Sequence, residues 1–174
     1  NISNITNVLD YVNEIGIKSF MCTTYAELNQ ICQYISKNPE KYKNFKISPC
    51  LPYAHKYANE VTELGIFGTV NKYMKGNFLK SISKGSMAVI KQDFYKVMEI
   101  LIDTELSIFK KVELDTIFLQ NVITDLLLGL GMDDFFVEFN NYIEKEFNVK
   151  AGFITMNMPL LYDTLSNKGI KKPT

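Results

Sequence analysis

Along this chain the spacing of apolar residues switches repeatedly between a helical and a strand-like pattern. Residues 5–15, ITNVLDYVNEI, put Ile5, Val8, Leu9, Val12 and Ile15 on one helical side, and Gly16 closes the run. IKSFMCTT follows, with Ile17, Phe20 and Met21 ahead of polar residues, and reads as a short buried strand. YAELNQICQYISKN returns to helical spacing through Leu28, Ile31, Cys32 and Ile35, and Asn38-Pro39 stops it. FKISPCLPY is a second strand and AHKYANEVTEL its helix. GIFGT is a short third strand, and VNKYMK begins another helix.

Residues 76–86, GNFLKSISKGS, are the least regular part. From Ile90 the helical pattern resumes, with Phe94, Val97, Met98, Leu101, Ile108, Phe109 and Val112 along one side of a long helix. DTIFLQN is a fourth strand, VITDLLLG a short apolar helix and DDFFVEFNNYIEKEFN an amphipathic one, with Asp133 and Asp134 placed to favour its N-terminus. KAGFITMN is a fifth strand. The last helix, PLLYDTLSN, starts on Pro159, a favoured first position, and Gly169 ends it.

Short strands, apolar on both faces and separated by helices, spell repeated βα units and a parallel sheet, so the fold class is α/β. Residues 1–174 show no repeat and no linker, and read as one α/β domain. Two architectures suit it. A flavodoxin-like open, doubly wound sheet accommodates five strands. Part of a TIM-type (β/α) barrel is the preferred reading. The chain starts within a helix and ends with NKGIKKPT, a helix stop and a Pro-containing connection where a further strand would begin. A whole barrel takes about 250 residues and eight strands, so this would be about five-eighths of one. The strands end on small polar or amide residues, Thr23, Thr69, Asn121 and Asn157, as barrel strands that carry a site do.

FKISPCLPYAHKYANEV, GIFGTVNKYM and FITMNMPLL resemble segments of aldolase-type TIM-barrel proteins. The resemblance covers strand-end patches and includes no named catalytic motif. It implies an active site at the carboxyl ends of the strands, which the fold's own physics also favours.

Composition narrows the function. All 19 basic residues are lysine, balanced by 19 acidic ones. A neutral chain without arginine lacks the basic surface and the bidentate clamps of a nucleic-acid binder. No apolar run reaches the roughly 18 residues of a membrane span, and there is no signal-peptide pattern. Cys22, Cys32 and Cys50 are odd in number and lack C-x-x-C spacing, which fits free thiols in a reducing, cytoplasmic setting. One histidine falls short of a catalytic zinc set, so neither metal nor other cofactor is expected. No phosphate-cradling glycine loop and no G-x-S-x-G elbow occurs.

The strand-end rule gathers five patches: Cys22-Thr23-Thr24; Cys50, Tyr53, His55 and Lys56; Thr69, Asn71 and Lys72; Asn121 and Asp125; Thr155 and Asn157. His55 suits a general acid or base, since its charge changes near neutral pH; its plainer role is at the first turn of a helix. A desolvated Lys72 or Lys56 would form a Schiff base with a carbonyl substrate, whereas most lysines are solvated. Cys50 beside His55 is a nucleophile candidate, or a buried inert thiol. Tyr53, Asn71, Asn121 and Asn157 are candidates for binding a substrate oxygen or hydroxyl, and the two later asparagines suit helix capping equally well. Two functions follow: a metal-independent, lyase-like barrel enzyme acting on a small polar metabolite, or a non-catalytic ligand-binding or interaction domain. The second would associate with a twin or a missing barrel half.

Overall fold

The helical stripes become helices and the short apolar runs become strands. The computed structural model describes residues 2–25, 27–53, 63 and 87–170. Helix α1 spans Ile2–Glu14, β1 Ser19–Thr23, α2 Leu28–Lys37 and β2 Lys46–Leu51. Then come α3 (Met87–Leu106), a 3-10 turn (Ser107–Phe109), β3 (Glu113–Leu114) and β4 (Thr116–Leu119). Helices α4 (Asn121–Gly129) and α5 (Asp134–Phe147), strand β5 (Lys150–Phe153) and helix α6 (Met158–Asn167) complete the order. The expected third strand at 65–69, the helix at 54–64 apart from Glu63, and the helix start at 70–75 lie outside the described residues.

Local rules account for several boundaries. Gly16 and Gly169 take positive φ, 96° and 71°, just past α1 and α6, where glycine carries no Cβ penalty. Asn148 ends α5 in the left-handed conformation. The helix expected to reach Val112 stops at Leu106. The backbone tightens into the 3-10 turn, which buries Phe109 and turns the chain toward β3.

The chain divides into two compact units, Asn1–Pro52 with Glu105–Thr174, and Tyr53–Thr104. The second holds most of α3, with Val97, Met98 and Ile102 buried. The first holds the sheet. Every strand pairing in it is parallel, and the order is β1-β2-β4-β5, with β3 also on β2. Strands β3 and β4 share one lane, broken at Asp115. The break faces Ser48 and Pro49 of β2, and Pro49 has no N–H to give a ladder. The described strands therefore follow chain order, without the reversal of a doubly wound sheet.

Register assigns every strand residue to a face. The first face carries Phe20 and Cys22, then Ile47, Pro49 and Leu51, then Ile117 and Leu119, then Ala151 and Phe153. It is apolar throughout. Helix α5 covers part of it, with Phe136 and Phe139 meeting the Phe153 ring at 5.3 and 5.7 Å. The second face carries Ser19, Met21 and Thr23, then Lys46, Ser48 and Cys50, then Glu113, Thr116 and Phe118, then Lys150 and Gly152, a more polar set. Ile47 to Leu51 are all buried, so the central strand is shielded on both sides, as parallel strands are.

Helix α1 is tied to α2 and to the turn after it through Asp10. Tyr34 Oη donates to Asp10 at 3.0 Å, Tyr42 Oη donates to it as well, and Lys41 Nζ lies 2.9 Å away. Burial alone would raise the Asp10 pKa. The bonds from Tyr42, Lys41 and Tyr34 outweigh burial and hold the carboxyl below its ordinary value. A carboxyl lowered on folding stabilises the fold above its unfolded pKa of about 4, and that stability is lost as pH falls through the lower folded value. Asp10→Asn should therefore lower the thermal midpoint at pH 7, and the gap to wild type should close at about pH 2. A gap of equal size at both pH values would show that the charge contributes nothing.

Candidate functional site

Parallel pairing sends every strand's carboxyl end to the same side. Thr23 lies beside Cys50, Cys50 beside Phe118, and Phe118 beside Gly152, a row across four lanes on the second face near those ends. Just beyond it stand Thr24 after β1, Gln120 after β4 and Thr155 after β5. Backbone bonds hold this rim in step: Gln120 N–H donates to Leu51 O at 2.6 Å, and Ile154 N–H to Leu119 O at 3.0 Å.

The sequence candidates fare differently. Asn157 is a cap: it precedes α6, and its side chain accepts from Leu160 N–H at 3.4 Å. Asn121 opens α4, half-buried, and its side chain makes no hydrogen bond among the described residues. Asp125 is a tie. It accepts from Thr155 Oγ1 and from Met156 N–H at 3.1 Å, while Thr155 Oγ1 accepts from Asn157 N–H at 2.8 Å. That fixes the loop after β5 to α4. Tyr53 is half-buried beyond Pro52. His55, Lys56, Asn71 and Lys72, with Thr69, lie outside the described residues.

All three cysteines are free. Burial pushes the Cys50 thiol up to about 11, with the Glu105 carboxylate adding to it, and pushes Cys32 to about 11. Cys22 goes to about 12, through burial and then the neighbouring Cys32 and Cys50. Such thiols are poor nucleophiles at neutral pH, which is the inert role for Cys50. Iodoacetamide at pH 8 should alkylate each of them in the native protein roughly 100-fold or more slowly than in urea, as two pKa units imply. Labelling of native Cys50 at the unfolded rate would contradict this.

Two rim residues escaped the sequence reading. Glu105, in the last turn of α3, is only 3% exposed, and Thr24 Oγ1 donates to its Oε2 at 2.6 Å. Gln120 has a buried side-chain oxygen with no hydrogen-bond partner among the described residues. For Glu105 a signal existed. Met98, Ile102, Glu105 and Phe109 fall at helical spacing, so a carboxylate interrupts an apolar stripe. For Gln120 none did, because an amide at a strand end reads equally well as a cap or a loop residue.

Two hollows are found among the described residues, and neither is lined by Thr24, Cys50, Glu105 or Gln120. An apolar groove of ≈ 430 Å³ is lined by Ile5, Val8, Leu9 and Val12 of α1 with Phe20 and Ile31. Another, of ≈ 240 Å³, is lined by Leu106, Phe109, Val112, Leu114 and Phe147. Strand direction, not hollow size, marks the rim. Among the described residues no three His, Cys, Asp or Glu side chains gather as a metal site, and no helix is long and apolar enough to cross a membrane. Comparison of this chain with protein-family models, curated proteins and solved structures gives no match in any of the three.

Proposed function

We propose that the protein is a barrel-type, lyase-like enzyme that handles a small polar metabolite at the carboxyl rim of its sheet, without a metal. One observation carries this reading: the described strands are all parallel and follow chain order, so their carboxyl ends line one side. Sequential parallel lanes suit neighbouring βα units of a TIM-type barrel, whose sites lie on that side. His55, Lys56 and Lys72 are the proposed proton-handling or Schiff-base residues, and Tyr53, Asn71, Asn121 and Asn157 the proposed binding residues. Three free thiols suit the cytoplasm, and a neutral surface suits a small molecule rather than nucleic acid.

Borohydride reduction in the presence of pyruvate should leave a mass adduct on Lys56 or Lys72. Peptide mapping with neither lysine modified removes the Schiff-base version. Unchanged turnover in His55→Ala removes the histidine version.

A second reading has its own support. Val8, Ile17 and Met21 are 61%, 46% and 57% exposed, on and around β1, a terminal strand of the described sheet. An apolar border of this kind suits a non-catalytic domain that docks a twin or a missing barrel half. Sedimentation at micromolar concentration separates the two, since a stable monomer counts against docking to a twin.

A further inference from the structure

We infer that the smaller groove, at the amino ends of the strands, binds a free small molecule with an apolar body and a single carboxylate. It lies at the opposite strand ends from the rim, so it stands apart from the function proposed there. Two breaks in the chain shape it. The 3-10 turn cuts α3 short and buries Leu106 and Phe109. Asn148 ends α5 in the left-handed conformation, with Phe147 just before it and Val149 just after. Leu114, beside Ile47 at the start of β2, completes the apolar lining.

Size comes first. The groove measures ≈ 240 Å³. An apolar cavity of about 150 Å³ holds benzene, so one ring and a substituent fit here. A helix, about 10–12 Å across with its side chains, does not. Leu106 and Phe109 are 3% and 2% exposed, while Val112, Leu114, Phe147 and Val149 are half-buried and keep apolar surface in water. A ring laid on them takes that surface out of water.

Charge decides the class of ligand. Six of the seven lining residues are apolar, and the seventh is Lys110, which is exposed. No acidic residue is among those that line the groove. A lysine lays its stem along apolar surface and keeps its ammonium at the border. An ammonium in that position complements an anion whose body is apolar. One lysine supplies one positive charge, which a monocarboxylate balances.

Titration of the isotope-labelled full chain, followed through its amide NMR signals, tests this. Benzoate should shift the amides of Lys110, Val112, Leu114 and Val149 in a saturable way, with a Kd on the order of 1 mM. Benzyl alcohol, which keeps the ring and loses the charge, should bind about fivefold more weakly. Acetate, which keeps the charge and loses the ring, should not saturate these amides. Lys110→Met should weaken benzoate about fivefold and leave benzyl alcohol unchanged. Equal affinity for benzoate and benzyl alcohol, or unchanged benzoate binding by Lys110→Met, overturns the carboxylate class. No saturable shift at these amides with benzoate up to about 20 mM overturns the site itself. Shifts at the same amides on raising the protein concentration without ligand give the groove to a second copy, and overturn it too.

Discussion

Phe136→Ala should lower the stability of the protein by about 3–5 kcal/mol, the largest effect expected of any single substitution considered for it. Phe136 is fully buried, and its ring stands nearly perpendicular to that of Phe153, at 84° and 5.3 Å. Phe153 sits on the apolar face of β5, a terminal strand of the described sheet, and Phe139 meets it from the next turn of α5 at 5.7 Å. Removing one ring opens a cavity that helix and strand cannot close without losing the remaining contacts. The loss is a large part of the roughly 5–15 kcal/mol that holds a typical domain together. Urea unfolding gives the measurement: a lower midpoint with an unchanged slope is expected. Phe136→Leu should cost markedly less. A shift for Phe136→Ala no larger than that of Tyr162→Ala, a 46% exposed position, would show that α5 does not anchor β5.

The second large effect runs against intuition, since alanine is ordinarily no worse than glycine in a strand. Gly152→Ala should destabilise by about 1–3 kcal/mol. A Cβ at Gly152 would fall 2.4 Å from both Cδ1 and Cε1 of Phe118 and 3.0 Å from Cγ2 of Thr116. Phe118 is the cross-strand partner of Gly152, and its ring occupies the space the glycine leaves. Aromatic ring and missing side chain form one unit on the second face, below the rim. Phe118→Leu in the Gly152→Ala background should recover part of the loss, so the two substitutions should be strongly non-additive. Simple additivity would mean the ring moves aside freely.

Much of the architecture was readable from residue order. The stripe Leu28, Ile31, Cys32 and Ile35 is the buried side of α2, because helical periodicity is a local property that packing seldom overrides. Four of the five expected strands fall among the described residues and form, for the reason given by their apolar runs. The glycine stops after α1 and α6 hold because a positive φ is cheap only there. Asn157 caps α6, one of the two roles its position allowed.

The candidate site was less readable. Helical spacing carried α3 on to Val112, whereas the chain tightens after Leu106, because an apolar stripe marks a side of a helix and not where the helix stops. Glu105 meets Thr24 across 81 residues, and Tyr42 meets Asp10 across 32. Neither partner leaves a trace in the other's neighbourhood, since a hydrogen bond between distant segments depends on their approach and not on spacing.

By itself the order of residues determined the class of fold, the parallel direction of the strands and hence the side on which their ends lie, because each follows from short-range periodicity and from the crossover that a helix between strands requires. Only the tertiary structure decided that β2 lies beside β4, which face of the sheet is apolar, and that Glu105 stands buried at the ends of β1 and β2. Those are matters of which surfaces meet, and the free energy of bringing distant surfaces together is set by the whole fold rather than by any one segment.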